Sequence, residues 1–477
     1  MGGVEWIRGL ALLGAIGALV SLAPVTAASA AGQRRATSRA HAGRLDRAFG
    51  RHGRAVMIGT SRQVGRMFVA STKSGGIVVG LSGQLIALTL RGQVDRAFGF
   101  GGDGRVALQP QPGEFSLAGL AVDQQGRLVI AATLRDVDSG PELRPAAVVV
   151  ERLLPNGRPD PAFGNGGTFE STFGFPTPPT VPAGPGTPLE PQYTAPAVEA
   201  SGLALDAEGR PVIAGNAIAE LRGCETYLMT PYRWEPTEGF IVRLTTTGQL
   251  DSSFGNAGVR REGEVSNDRF PLVDGAGRII YSKAPLKASC PGRGEGFPSL
   301  LQSLDPSGYP RGGFDVRRSG RPLYTYATAL DARMRPLLLA ARPEGLEEGP
   351  LEVARVEPGG SPDRRFGNAG AHRVALPETA EVRTVGADSR NRVLLAGGFG
   401  GNFLLQRLTA AGEVDAGFGV DGKAVTRFGR RHSVVRAVTT DARGRIVVAG
   451  TVSRRSPSGV TVNDVGVARY LPGPGRR

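Results

Sequence analysis

The sequence predicts an all-β fold: a seven-bladed β-propeller of four-stranded antiparallel blades. Three observations predict it. Two short phrases recur in alternation along the chain, apolar runs of strand length lie between them, and Gly-rich turns join the runs. The chain holds 71 Gly and 35 Pro, which alone would suit disorder, but 40% of its residues are hydrophobic. Those residues fall in evenly spread Val, Ile and Leu runs that can bury a core, so a turn-rich β protein is the better account.

The first phrase is D-x-x-F-G: LDRAFG at 45–50, VDRAFG at 94–99, PDPAFG at 159–164, LDSSFG at 250–255, PDRRFG at 362–367 and VDAGFG at 414–419, with a degenerate YPRGGF at 309–314. The second is the strand phrase GRLVIAA at 126–132, GRPVIAG at 209–215, GRIIYSK at 277–283, NRVLLAG at 391–397 and GRIVVAG at 444–450, with looser copies at 75–80 and 335–340. A third apolar run precedes each D-x-x-F-G position, as in AVVVERL at 147–153, and an alternating segment precedes each G-R phrase, as in LAGLAVD at 117–123. Four strands in a unit of roughly 61 residues, repeated seven times, is the propeller pattern. Gly126, Gly209 and Gly444 supply the positive φ that a tight hairpin needs.

The phase of the repeat predicts how the ring closes. The chain enters on a D-x-x-F-G strand at 45–56 and ends on a third-type strand at 465–471. Pairing the two completes the last blade and leaves no open sheet edge. An Arg stands eight residues before the Asp in four units, as Arg152 and Asp160, Arg243 and Asp251, Arg355 and Asp363, and Arg407 and Asp415. This spacing predicts a charged pair across the hairpin joining third and fourth strands. In the degenerate unit the same spacing falls on Gln302 and Pro310. Arg469 has no Asp downstream, so Asp46 of the entering strand is its expected partner.

These paired phrases resemble the delta-60 repeat, a bacterial propeller-type repeat of exported proteins, over roughly residues 45–471. The resemblance implies the propeller and an exported setting. It brings no assigned activity, catalytic residue or cofactor.

Residues 1–30 read as a secretory signal peptide: Arg8, an apolar stretch from Leu10 to Val20, and Ala28-Ser29-Ala30 as the cleavage site. Residues 31–44 are expected to be a disordered leader, 45–471 the propeller, 171–198 a Pro-rich insertion and 472–477 a disordered tail. A secreted or envelope-associated monomer is expected, with no membrane span after cleavage. The net charge is +14, yet the Arg residues are dispersed along the chain, so specific nucleic-acid binding is not expected. Attraction to anionic cell-surface polymers is compatible with that charge. Cys224 and Cys290 fall in equivalent second-to-third strand insertions of adjacent units, which suits a disulfide in an oxidising compartment.

No catalytic or metal-binding constellation stands out. The repeated Asp is a turn former paired with its Arg, and the four His are isolated in sequence. No nucleophile elbow, phosphate loop, calcium loop or dinucleotide fingerprint occurs, so neither a metal nor a cofactor is expected. The departures from the repeat are insertions at 133–145, 171–198, 216–238 and 284–297, all of which a propeller carries on one face. They hold Tyr193, Tyr227, Tyr232 and Trp234, candidate ligand-binding aromatics on loops of a rigid scaffold. The bland account is that these rings only pack the long loops. The leading functional expectation is a non-catalytic binding or scaffold propeller for an extracellular glycan, cell-wall polymer or protein. A secreted carbohydrate-active hydrolase or lyase, using a carboxylate pair, is the first alternative. A structural surface-layer component is the second.

Overall fold

The computed structural model describes residues 42–61, 66–81, 83–108, 114–135, 146–175, 198–223, 232–262, 271–283, 300–314, 324–344, 347–358, 360–377, 379–456 and 459–473. The signal segment, most of the leader, residues 176–197 of the Pro-rich insertion, Tyr193, Tyr227, Cys224 and Cys290 lie outside the described residues. The strands form seven four-stranded antiparallel sheets, each pairing its strands in radial order. In blade 2 these are Glu114–Val122, Leu128–Arg135, Ala147–Leu153 and Thr168–Ser171. The second and third strands read as continuous apolar runs because both their faces are covered by neighbouring blades. Ala147–Leu153, for example, is buried at every position. Apart from the closing strand of the seventh blade, the fourth strands are short, which limits the exposed edge at the rim.

The first strands of neighbouring blades lie against one another and so form the inner wall of the ring. They are Phe68–Ser71, Glu114–Val122, Val198–Leu205, Leu272–Val273, Tyr324–Leu330, Ala380–Ala387 and His432–Thr440. Because each blade is a meander, second-to-third loops and blade-to-blade links leave from one face, the insertion face. First-to-second and third-to-fourth turns leave from the other, the turn face.

The seventh blade takes its fourth strand from the other end of the chain. Arg54–Ser61 pairs antiparallel with Thr461–Tyr470, placing Arg54 opposite Ala468 and Met57 opposite Val465. Asp46 accepts from Arg469 Nε at 3.0 Å and from Arg445 Nη1 at 3.1 Å. Residues placed by sequence in the leader and tail take part as well. Ala42 is buried, the Gly43 amide donates to the Leu471 carbonyl, and the Pro472 carbonyl accepts from Arg407 Nη1.

One charged clasp recurs on the turn face. Asp123 caps its own hairpin through the Gln125 and Arg127 amides and holds Arg127 Nε at 2.6 Å. Arg127 reaches on to Asp160, which also accepts from Arg152 Nε at 2.7 Å. The Arg152 guanidinium lies 4.6 Å from the centre of the Phe163 ring and donates to the Thr246 carbonyl of blade 3. Arg243 with Asp251, Arg355 with Asp363, Arg407 with Asp415 and Arg469 with Asp46 repeat the arrangement. Their Nη1 groups donate to the Pro306, Ala410, Pro472 and Leu90 carbonyls of the following blades. Each clasp therefore joins a hairpin, a buried Phe and the next blade. Burial pushes the Asp160 carboxyl up, but the Ala162 amide and Arg152 outweigh it and hold the group below the usual carboxylate range.

The degenerate blade corrects one alignment. Pairing of Ile279 with Leu304 and Ile280 with Ser303 puts Ser303 at the arginine position, one residue on from Gln302. Pro310 then matches Pro159, and Arg311 stands where the other blades carry Asp. The spacing alone misplaced the pair because the clasp that would have marked the register is missing there.

Candidate functional site

The insertion face carries an extended hairpin on blade 3. Its strands, Pro211–Gly223 and Tyr232–Arg243, keep pairing far past the blade body, so most of the 216–238 insertion is strand rather than loop. Tyr232 stands opposite Gly223, and Trp234 opposite Leu221. Phe173 and Phe175, near these insertions in sequence, belong to the core between blades 2 and 3. Both are buried, with ring centres 5.1 and 5.7 Å from that of Phe240. They are packing rings and offer no ligand surface.

The inner wall supplies a different site. Five first strands carry a β-bulge at one register, where one extra residue stands opposite the end of the second-strand phrase. The bulged residues are Ala118, Ser201, Tyr326, Arg383 and Arg436, each five residues before the Asp of its hairpin turn. Both sheet faces are covered by neighbouring blades, so a residue left half-exposed on an innermost strand opens onto the channel. Tyr326 is 39% exposed, and the Arg383 side chain 40%. Arg269 holds the same sequence position in blade 4 but lies outside the described residues. Among the described residues, blades 5 to 7 thus carry Tyr, Arg and Arg at this level, whereas blades 2 and 3 carry the buried Ala118 and Ser201.

The blade next to this basic half of the ring adds Arg66. Its Nη1 donates to the Ser201 carbonyl at 2.8 Å, reaching from blade 1 to blade 3 past the small Ala118. Glu381 accepts from Arg383 Nη2 at 2.6 Å. Burial and the nearby Arg383 guanidinium pull Arg436 below its usual range, while Glu381 acts the other way. Glu199 stands at the register of Glu381, but on blade 3, three blades away. Toward the turn face the channel becomes an apolar cavity of about 430 Å³, lined by residues such as Leu203, Leu205, Leu272, Leu330 and Val438. No Asp or Glu lines that cavity. Among the described residues no group of His, Cys, Asp or Glu is arranged to hold a metal ion.

Chemically, the channel offers guanidinium donors and a phenol at its insertion-face mouth, with a floor of mostly aliphatic side chains and a few Thr beneath. That suits anion recognition. Sequence reading missed these residues because a bulge leaves no mark on the alternating pattern. The usable signal was positional, the residue five before each turn Asp, and it appears only once the repeats are stacked on one another.

No family model and no curated protein matches the chain. Solved structures resemble it distantly. A protein of unknown function from Dyadobacter fermentans is 15% identical over 75% of this chain and 95% of its own, with a TM-score of 0.41. An α-L-arabinofuranosidase from Fusarium graminearum is 10% identical over 74% of this chain and 93% of its own, at 0.38. A gluconolactonase from Xanthomonas campestris is 11% identical over 87% of this chain and 99% of its own, at 0.33. Likeness this weak carries no argument about activity, and the seven-bladed architecture rests on the sheet topology above.

Proposed function

We propose that this protein is an exported, non-catalytic binding or scaffold propeller that takes an acidic cell-surface polymer at the insertion-face mouth of its channel. The observation that carries the proposal is the basic half-ring of Arg66, Arg383 and Arg436 with Tyr326, set on a bulged inner wall above an apolar floor. Guanidinium groups held by the scaffold recognise carboxylate or sulfate groups in pairs without a large ordering cost. Glu381 is engaged by Arg383, and Glu199 stands three blades away, which speaks against the adjacent carboxylate pair that glycoside hydrolysis uses.

The test uses an economy of the sequence. Trp6 and Trp234 are its two tryptophans, and Trp6 falls in the predicted signal segment. Mature protein is titrated with alginate, a polyuronate, and with neutral dextran, following Trp234 fluorescence and heat. The expected result is saturable alginate binding that weakens with salt, no dextran binding, and at least a tenfold loss in Arg383→Ala/Arg436→Ala. A flat response to alginate, or equal binding by the double variant, would overturn the proposal. New reducing ends in the same samples would establish the enzyme alternative instead.

A further inference from the structure

Where a chain is built from repeats, residues that break the repeat and converge in space mark added function, and two such departures meet on the outer flank between blades 1 and 2. The turn after Phe98 is two residues longer than the one after Phe163: five residues lie between Phe98 and Gly104, but three between Phe163 and Gly167. The longer turn presents Phe100, 75% exposed, and Asp103. Facing them on the third strand of blade 2 is Glu151, at a register where the other blades carry Ile86, Val242, Gln302, Ala354, Gln406 and Ala468. Together they line a cleft of about 650 Å³.

Glu151 is the informative member. It is 9% exposed, yet no hydrogen bond or ion pair reaches its carboxyl among the described residues. Its in-register neighbours are Ile130 and Thr168, neither of them charged. The other charged groups of the cleft are already engaged. Asp103 accepts from the Arg105 amide at 3.1 Å, and Arg105 Nη1 donates to Gln84 at 3.4 Å. The Glu151 oxygens open only onto this cleft, so the donor that a buried carboxyl needs comes from solvent or a ligand there. The Phe100 ring already receives a cation, since the Arg158 guanidinium lies 5.1 Å from its centre. In a chain of net charge +14, this cleft gathers two carboxylates beside a largely exposed aromatic ring.

We infer that the flank cleft between blades 1 and 2 is a second binding site, separate from the channel, for an organic ammonium group carried on an apolar body. The ammonium donates to Glu151 and is held beside Asp103 and the Phe100 ring, while Val106, Ala107, Leu153 and Pro159 of the wall meet its apolar body. Binding needs the ionised carboxylate, so affinity rises as Glu151 gives up its proton.

The test titrates mature protein with benzylamine, benzyltrimethylammonium and the neutral benzyl alcohol, by calorimetry and saturation-transfer NMR, at pH 8 and pH 5.5. The expected result is saturable binding of benzylamine, at least tenfold weaker binding of benzyltrimethylammonium, which has no N–H to donate to Glu151, none of the alcohol, and at least tenfold weaker amine binding at pH 5.5. Glu151→Gln should lose at least tenfold in affinity. It places in blade 2 the residue that blades 4 and 6 already carry at this register, so the fold accepts it. Phe100→Ala, at an exposed position, should weaken both cations severalfold. Arg383→Ala/Arg436→Ala should change nothing here, which separates this site from the channel. Alcohol binding equal to that of the amine, an unchanged Glu151→Gln affinity, or no saturable cation binding would each overturn the inference.

Discussion

Glu151 and Asp160 stand nine residues apart and titrate in opposite directions, because one is buried without a donor and the other is surrounded by donors. Burial pushes the Glu151 carboxyl from its ordinary 4.5 up to about 7. A carboxyl raised on folding favours the native state while protonated. Its contribution is complete below pH 4.5 and is lost as the pH rises through 7. The gap corresponds to about 3 kcal/mol. Urea unfolding of wild type and Glu151→Gln at pH 4 and pH 8 should show the variant gaining about that much relative to wild type at the higher pH. A difference that does not move with pH would mean the carboxyl is solvated. Asp160, held below the usual range, works the other way, and its stabilisation is lost in acid. The Arg152 and Asp160 pair was legible in the sequence because its spacing recurs. Glu151 was not, since its meaning comes from a turn in the preceding blade, and no single repeat contains both.

At the scale of elements, the third-to-fourth turn is where one blade meets the one before it. A Cβ at Gly248, whose φ is +79°, would lie 2.6 Å from the Gly164 amide nitrogen and 2.9 Å from the Phe163 ring. Gly209 has the same φ of +79° and nothing within 4 Å. Gly209→Ala should therefore cost only the left-handed backbone, about 1 kcal/mol. Gly248→Ala should cost about 3 kcal/mol, because the backbone of the preceding blade must also yield. Equal losses in denaturant melts would show that the turn can shift without disturbing its neighbour. The strands themselves were readable from apolar runs such as Ala147–Leu153, and the turns from Gly126 and its counterparts. The bulges and the long blade 3 hairpin were not. Inserting one residue at Arg383 or Arg436 leaves local composition unchanged, and the Gly, Pro and charged residues of 216–238 do not advertise a strand.

For the whole molecule, stability turns on the seam. Asp46 is the common acceptor for Arg469, which is 1% exposed, and for Arg445, and it does so across 423 residues of sequence. Asp46→Ala would leave two guanidinium groups facing each other at the closing strand. The expected loss is about 3 kcal/mol, the scale for breaking a buried ion pair from one side. Urea midpoints at neutral pH give the answer, and a loss below about 1 kcal/mol would mean that strand pairing alone closes the ring.

The borrowed strand also sets a clock on biosynthesis. Arg54–Ser61 is made about 400 residues ahead of its pairing partner Thr461–Tyr470. At roughly 5–20 residues per second, the early strand waits on the order of 20–80 s with its backbone donors and acceptors unmatched. A chain stalled before residue 461 has six whole blades and an orphan strand, so the ring cannot shut until Thr461–Tyr470 has been made.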